Sequence, residues 1–513
     1  MDAALARTDA ELGGAPEGLD ALIVAERIKA QGGTALFIAR DYQRTGNFIQ
    51  AFRFFAKDVE VLEYPSWDCL PYDRLSPTAS VAAQRMATLT RLATRDPSDR
   101  TRLLVVATVA AAAQRTPPRS AVTGAGFAAK VGADLDTAAL ERYVAANGYV
   151  RASTVSERGE YAIRGGVIDV FPPGFEEPVR LDMFGSELES IRAFDPETQR
   201  STRQLKAVSL SPVSEVLMDA DSISRFRSGY LNLFGAPGDE PMYAAVSEGA
   251  RRQGVEHWLP LFYDRLDTLF DYLPDTAPVF LDSQTEQARG ERWNLTVDAY
   301  EARKEAARGK GGAAYRALPP ARLYLDDGDW NSALAGRAVR RLSPLAADAT
   351  RGGEDAGGRL GHSFAAERTQ DSVNLFAAVA QHAERLKADG KRVLFASWSE
   401  GSSERLAAML GDHGLTHVLP VRDWADVLAS PKDIYLRAVL PVEHGFVTDE
   451  VAVISETDIL GDRLARPKRK RRASNFLAEA SALTAGDLVV HLDHGIGRYE
   501  GLKTLEIQEA PHD

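Results

Sequence analysis

The chain has 513 residues, 26% of them charged, and a formal net charge of −12. That length holds roughly three to five domains, and the acidic balance excludes a protein that coats nucleic acid with its whole surface while leaving room for a local basic patch. Its one cysteine, Cys69, excludes an internal disulfide framework and any multi-cysteine metal site.

The first residues, MDAALARTDAELGG, carry acids and no apolar core, unlike a signal peptide. The longest apolar candidate, Leu103 to Ala113, is too short to span a bilayer. The expectation is a soluble, cytoplasmic chain without membrane contact. From about Gly18 to Pro118, helix and strand alternate. Leu19 to Gln31 reads as a helix, Thr34 to Ala39 as an apolar strand, and Asp41 to Ala56 as a helix capped by Asp41. Val59 to Tyr64 is a strand, Ser80 to Arg95 a long helix, and Leu103 to Val109 a buried strand. Unbroken apolar strands separated by helices predict a parallel sheet covered on both faces.

Thr116-Pro117-Pro118 marks a change of texture. A helix from about Thr137 to Ala146 leads into short strands joined by Gly/Pro turns, ending near Pro212; this reads as a separate α+β module. Mixed helix and strand return between Ser214 and Leu342. Arg351 to Gly361 is Gly-rich and reads as a linker. A helix (Asp371 to Asp389), a strand (Arg392 to Ala396), a helix (Glu400 to Gly411) and a strand (Val451 to Ser455) then make a small α/β domain. A basic segment follows, with seven Arg or Lys among the ten residues from Arg463 to Arg472, and a β-rich stretch from Gly486 to Leu502.

A parallel α/β domain raises the question of nucleotide binding. A phosphate-binding loop needs G-x-x-x-x-G-K-[ST], so that backbone N–H groups wrap the phosphates and Lys and hydroxyl complete the site. The Gly-Lys pairs at Gly309-Lys310 and Gly390-Lys391 are not followed by Ser or Thr. Where a strand end needs two acids to hold Mg²⁺, Asp282 is followed by Ser283. His491 and His494 flank Asp493, but zinc needs further ligands. Cys69 has no evident activating partner. Arg469, Lys470, Arg471 and Arg472 are candidates for phosphate contact, with a solvated linker as the alternative; no aromatics are interleaved for base stacking.

The most informative segment runs from Glu160 to Phe194. Alternation puts Val179, Leu181 and Met183 on one face of a strand and Arg180, Asp182 and Phe184 on the other. An arginine and a phenylalanine on a wet face fit a docking surface. The plainer alternative pairs Arg180 with Glu176 or Glu177 and folds Phe184 over the sheet edge.

The motifs LPYDRLSP (Leu70 to Pro77), EYAIRGGVIDVFPPG (Glu160 to Gly174), VRLDMFGSELESIRAFDPETQRS (Val179 to Ser201), VEHWLPLFYDRLDTLFDYLP (Val255 to Pro274) and VVHLDHGIGRYEGL (Val489 to Leu502) resemble those of bacterial transcription-repair coupling factors, in order along nearly the whole chain. The resemblance implies a multidomain α/β protein. Residues 1–120 and 214–350 would be the halves of an excinuclease B-like domain, a degenerate P-loop-NTPase-like fold. The inserted α+β domain would span 121–213, the small α/β domain 351–460, a basic linker 461–480, and the start of a polymerase-binding β domain 481–513. It implies that this chain stops inside that last domain, before the ATP- and Mg-using DNA translocase motor, and so needs no cofactor. It implies docking of excinuclease A through Arg164, Arg180 and Phe184. It also implies binding of the RNA polymerase β subunit through the region of Leu488, Val490, Leu492, Ile496, Arg498 and Tyr499, and weak DNA contact. The implied function is recruitment in transcription-coupled DNA repair, without catalysis by this chain. The alternative is a DNA-dependent ATPase or helicase-like enzyme with a divergent nucleotide site.

Overall fold

A computed structural model describes residues 9–96, 98–238, 240–307, 316–347, 353–370, 372–461, 488–491, 495–498, 505–507 and 510–512. The chain divides into two compact units, Met1–Gly461 and Asp462–Asp513.

Among the described residues of the first unit, seven strands form a wholly parallel sheet. They are β1 (Asp9–Gly13), β2 (Thr34–Ala39), β3 (Glu60–Tyr64), β4 (Leu103–Thr108), β13 (Val279–Leu281), β14 (Val339–Leu342) and β15 (Glu354–Asp355), in the order β15-β1-β14-β13-β2-β4-β3. Every residue of β2 and β4 is buried, as an apolar strand covered on both faces requires. Helices α1 (Leu19–Gln31), α2 (Tyr42–Phe55) and α3 (Ala79–Ala93) supply cover. Asp41 caps α2 by accepting from the Arg44 N–H at 2.7 Å.

Between β4 and β13 the chain leaves this sheet and builds another. Its strands are β6 (Val150–Arg151), β7 (Glu160–Arg164), β8 (Val167–Val170), β9 (Val179–Phe184), β10 (Glu187–Phe194) and β11 (Ser201–Leu205), antiparallel except for the β6–β7 pair. One face packs Ile168, Val170, Val179, Leu181, Leu188 and Ile191 into a core with the helix Thr137–Ala146. A two-stranded ribbon of β5 (Phe127–Lys130) and β12 (Ala207–Leu210) closes the insertion, with Phe127 opposite Leu210. The return into the main body is fixed by a buried pair: Arg85 on α3 donates to Glu215 from Nε at 3.0 Å and Nη2 at 2.8 Å, and Trp67 Nε1 donates to the other carboxylate oxygen at 2.8 Å.

Of the stretch Arg351 to Gly361, expected to be a linker, the described residues 353–361 are stitched into two sheets instead. β15 pairs with β1, and β16 (Arg359–Leu360) pairs with β20 (Phe446–Val447). Gly358 and Gly361 serve close approach rather than flexibility. Gly358 N–H donates to Gly14 O at 3.0 Å, and a Cβ on Gly358 would meet Leu19 Cδ2 at 1.9 Å.

The last sheet of this unit has the order β16-β20-β21-β17-β19-β18, with β17 (Arg392–Ser397), β18 (Val418–Pro420), β19 (Tyr435–Val439) and β21 (Val451–Ser455) parallel. It shares a core with the first sheet. Phe55 of α2 meets Trp424 edge-to-face at 5.2 Å, within a buried cluster holding Phe52, Leu394, Leu436 and Val453. In the second unit, β22 (Leu488–His491) and β23 (Gly495–Arg498) pair antiparallel, as do Leu505–Ile507 and Ala510–His512.

Candidate functional site

The inserted sheet turns a polar face away from its core. Pairing across β7, β8, β9 and β10 sets which residues share it. Asp169 lies opposite Ala162 and Arg180; Val167 lies opposite Arg164 and Asp182; Arg180 lies opposite Arg192. Side chains directly opposite one another, and those two apart, point the same way. Arg164, Asp169, Arg180, Asp182, Phe184 and Arg192 therefore occupy one face. Alternation alone joins only Arg180 and Phe184; the register adds Arg164.

Asp169 is the centre of this face and is fully buried. Arg180 donates to it as a fork, Nε to Oδ1 at 2.7 Å and Nη2 to Oδ2 at 2.9 Å; Arg164 Nη2 donates to Oδ2 at 2.6 Å. Such charge-assisted forks fix geometry as well as charge. Hydrogen bonding by Asp169 raises the Arg180 pKa, and its guanidinium lies 4.7 Å from the centroid of the Phe194 ring. Asp169 takes the place of Glu176 or Glu177 as the partner of Arg180, and Glu177 accepts from Arg203 at 3.3 Å. Exposure differs between the two arginines: the Arg164 side chain is 51% exposed and that of Arg180 19%.

Phe184 ends β9, just before Gly185, whose φ of 66° is the left-handed conformation that a two-residue hairpin loop asks of its first position. The turn leaves the ring 78% exposed, at variance with a ring folded over the sheet edge. Next to it, Asp182 accepts from Arg192 Nε at 3.0 Å and Nη2 at 2.8 Å. Sequence reasoning missed Asp169 and Arg192. The signal for the first was an acid inside the apolar run Val167-Ile168-Asp169-Val170, where a buried charge needs a partner.

The carboxyl ends of parallel strands are where open α/β sheets bind ligands. Here Asp282 after β13, Arg40 after β2, Arg44 in α2, and Glu17 and Asp20 beside the start of α1 converge. Arg44 Nε donates to Asp282 Oδ1 at 3.2 Å, and Arg40 Nη1 donates to Asp282 Oδ2 at 3.1 Å and bridges to Glu17 at 2.7 Å. Arg44 Nη2 donates to Asp20. Burial works against the Arg44 charge, but Asp20, Asp282 and Glu17 outweigh it and raise its pKa. Both carboxylate oxygens of Asp282 are thereby taken by arginines of the same chain.

Cys69 does have a histidine neighbour, with His257 Nε2 at 4.0 Å from its sulfur. The pair is not poised for nucleophilic chemistry. Burial, then Asp68, Glu256 and Asp73, push the thiol up to about 12, and burial pushes His257 down to about 4. Of the expected polymerase-binding residues, Leu488 stands opposite Arg498 and Val490 opposite Ile496 in the β22–β23 pair. Leu492, Tyr499, Arg469, Lys470, Arg471 and Arg472 lie outside the described residues, as do Asp493 and His494.

Three families match by their models. The UvrB interaction domain matches residues 127–215, the MFD, D3 domain residues 386–459, and the CarD-like/TRCF RID domain residues 483–513. Curated relatives are named transcription-repair-coupling factor. The one from Escherichia coli K12 is 32% identical over 95% of this chain and 41% of its own length. The Myxococcus xanthus one is 32% identical over 88% and 38%, and the Bacillus subtilis one 26% identical over 89% and 39%. The chain thus spans about two fifths of the length of the curated relatives it matches.

Proposed function

We propose that this chain, which corresponds to the N-terminal portion of the transcription-repair-coupling factors, is a recruitment platform in transcription-coupled DNA repair. Excinuclease A docks on the face of Arg164, Arg180 and Phe184, and the β subunit of RNA polymerase engages the region of Leu488, Val490, Leu492, Ile496, Arg498 and Tyr499. The carrying observation is the exposed Phe184 ring on the same sheet face as two arginines held by one buried carboxylate. An exposed aromatic anchor flanked by guanidiniums is the composition of an interface hot spot, and it lies within the stretch matched by the UvrB interaction domain.

In this reading, residues 1–120 and 214–350 form one excinuclease B-like, P-loop-NTPase-like domain that no longer handles nucleotide. Residues 121–213 are its insertion, 351–460 the small α/β domain, 461–480 a basic linker in weak contact with DNA, and 481–513 the polymerase-binding start. The loss of nucleotide chemistry is supported by Arg40 and Arg44, which saturate Asp282 where a metal-bound triphosphate would otherwise need it. ATP and Mg then belong to motor domains outside the three matched stretches. Among the described residues no helix is long and apolar enough to cross a membrane, which is compatible with work in the cytoplasm.

Titration calorimetry with purified excinuclease A tests the docking face. Arg164→Ala, Arg180→Ala and Phe184→Ala should each weaken binding by about 1–3 kcal/mol. Unchanged affinity in all three, with the fold intact, would sink the assignment.

A further inference from the structure

Resting on that docking face, we infer that Asp169 is a positioning residue for it, acting through Arg164. Asp169 has no exposed surface of its own, so it cannot touch a partner. Yet both its oxygens are committed to the face. Arg180 holds Oδ1 and Oδ2 as a fork, and Arg164 holds Oδ2 alone. A buried carboxylate in an apolar strand costs stability unless it is paired, and one arginine would have been enough to pair it. Two arginines on one acid leave the group of three with a net charge of +1, and the surplus sits on the better exposed side chain, Arg164.

The two arginines then have different duties. Arg180, packed over Phe194 and locked in a fork, sets the orientation of the Asp169 carboxylate. The carboxylate in turn pins one end of the Arg164 guanidinium and removes the rotamer freedom that a half-exposed arginine would lose on binding. The ligand chemistry that this suits is a carboxylate of the partner, met by a guanidinium already held in plane.

Calorimetric titration of purified excinuclease A into the whole 513-residue chain tests this through a double-mutant cycle. Asp169→Asn, which keeps the shape and removes the charge, should weaken binding about tenfold. In an Arg164→Ala background the same change should cost little further, because Asp169 acts through that side chain. Losses that add in the double variant, or wild-type affinity for Asp169→Asn, would overturn the proposal. Arg164→Lys reads the same link from the exposed side and leaves the buried acid in place in its fork with Arg180. It keeps the charge, gives up the planar fork, and should lose as much as Asp169→Asn; wild-type affinity for it overturns the proposal even where Asp169→Asn does not fold. The docking face itself fails separately, by wild-type affinity for Phe184→Ala and Arg164→Ala.

Discussion

Arg44 and Asp282 meet at 3.2 Å between the ends of two neighbouring strands, although 238 residues separate them in the chain. Both side chains are almost wholly buried, and Asp20 is buried on the other side of the same guanidinium. Truncating Arg44 takes the guanidinium away from buried Asp20 and leaves Asp282 with Arg40 alone. Arg44→Ala should cost about 3–5 kcal/mol of folding stability, measured by urea unfolding. A loss under about 1 kcal/mol would mean that water reaches the cluster and that the arginine is dispensable.

The Arg85–Glu215 pair is the matching test at the seam of the insertion. Glu215 accepts from Arg85 and from Trp67, and Arg85 also donates to Tyr64 Oη at 2.6 Å. Glu215→Ala should destabilise by about 3–5 kcal/mol, since it leaves a fully buried guanidinium without its carboxylate. Chemical denaturation of the variant beside wild type checks it. A joint Arg85→Met/Glu215→Leu replacement should cost less than Glu215→Ala alone, because no orphan charge remains.

His257 sets an acid limit. Its folded pKa lies near 4, lowered mainly by burial from an ordinary 6.5. Between these values the unfolded chain takes up a proton that the folded chain refuses, so the stability present above pH 6.5 is lost as pH falls towards 4. The loss from this group amounts to roughly 3 kcal/mol. Unfolding free energies measured at several pH values should show this slope in wild type and a flatter one in His257→Gln. Parallel slopes would assign the acid sensitivity elsewhere.

Cys69 should resist thiol reagents while the chain is folded. With its pKa pushed up to about 12, the thiolate at pH 8 is a fraction on the order of 10⁻⁴. Labelling by a thiol-reactive chromogen should run at least about a hundredfold slower in buffer than in denaturing urea. Equal rates would show that the neighbouring acids and burial do not govern this sulfur.

Much of the local structure was legible. Leu19–Gln31, Thr34–Ala39, Thr137–Ala146, Glu400–Gly411 and Val451–Ser455 form as the pattern of apolar residues, caps and breakers predicts. The two faces of β9 followed from alternation. What escaped was long-range register. Placing Asp169 under Arg180 requires the pairing of β8 with β9 across a Pro/Gly-containing loop, which no period in the sequence encodes. The cluster around Asp282 draws on α1 and α2, far away in the chain. Arg351 to Gly361 misled for a related reason: glycine content signals freedom and close packing alike, and only the neighbours of Gly358 decide between them.

The pairing of β5 with β12, in which Lys130 faces Ala207 and Phe127 faces Leu210, has an evolutionary corollary. The insertion departs and rejoins at this ribbon and also leans on its host: Ala83 of α3 lies in its core, and Arg251 Nη2 donates to Ala146 O at 2.7 Å. Recombination that cut at this ribbon would exchange the whole inserted sheet in one event. Arg85 and Glu215 both lie outside such a cut, so the newcomer would meet a junction whose buried ion pair is already made.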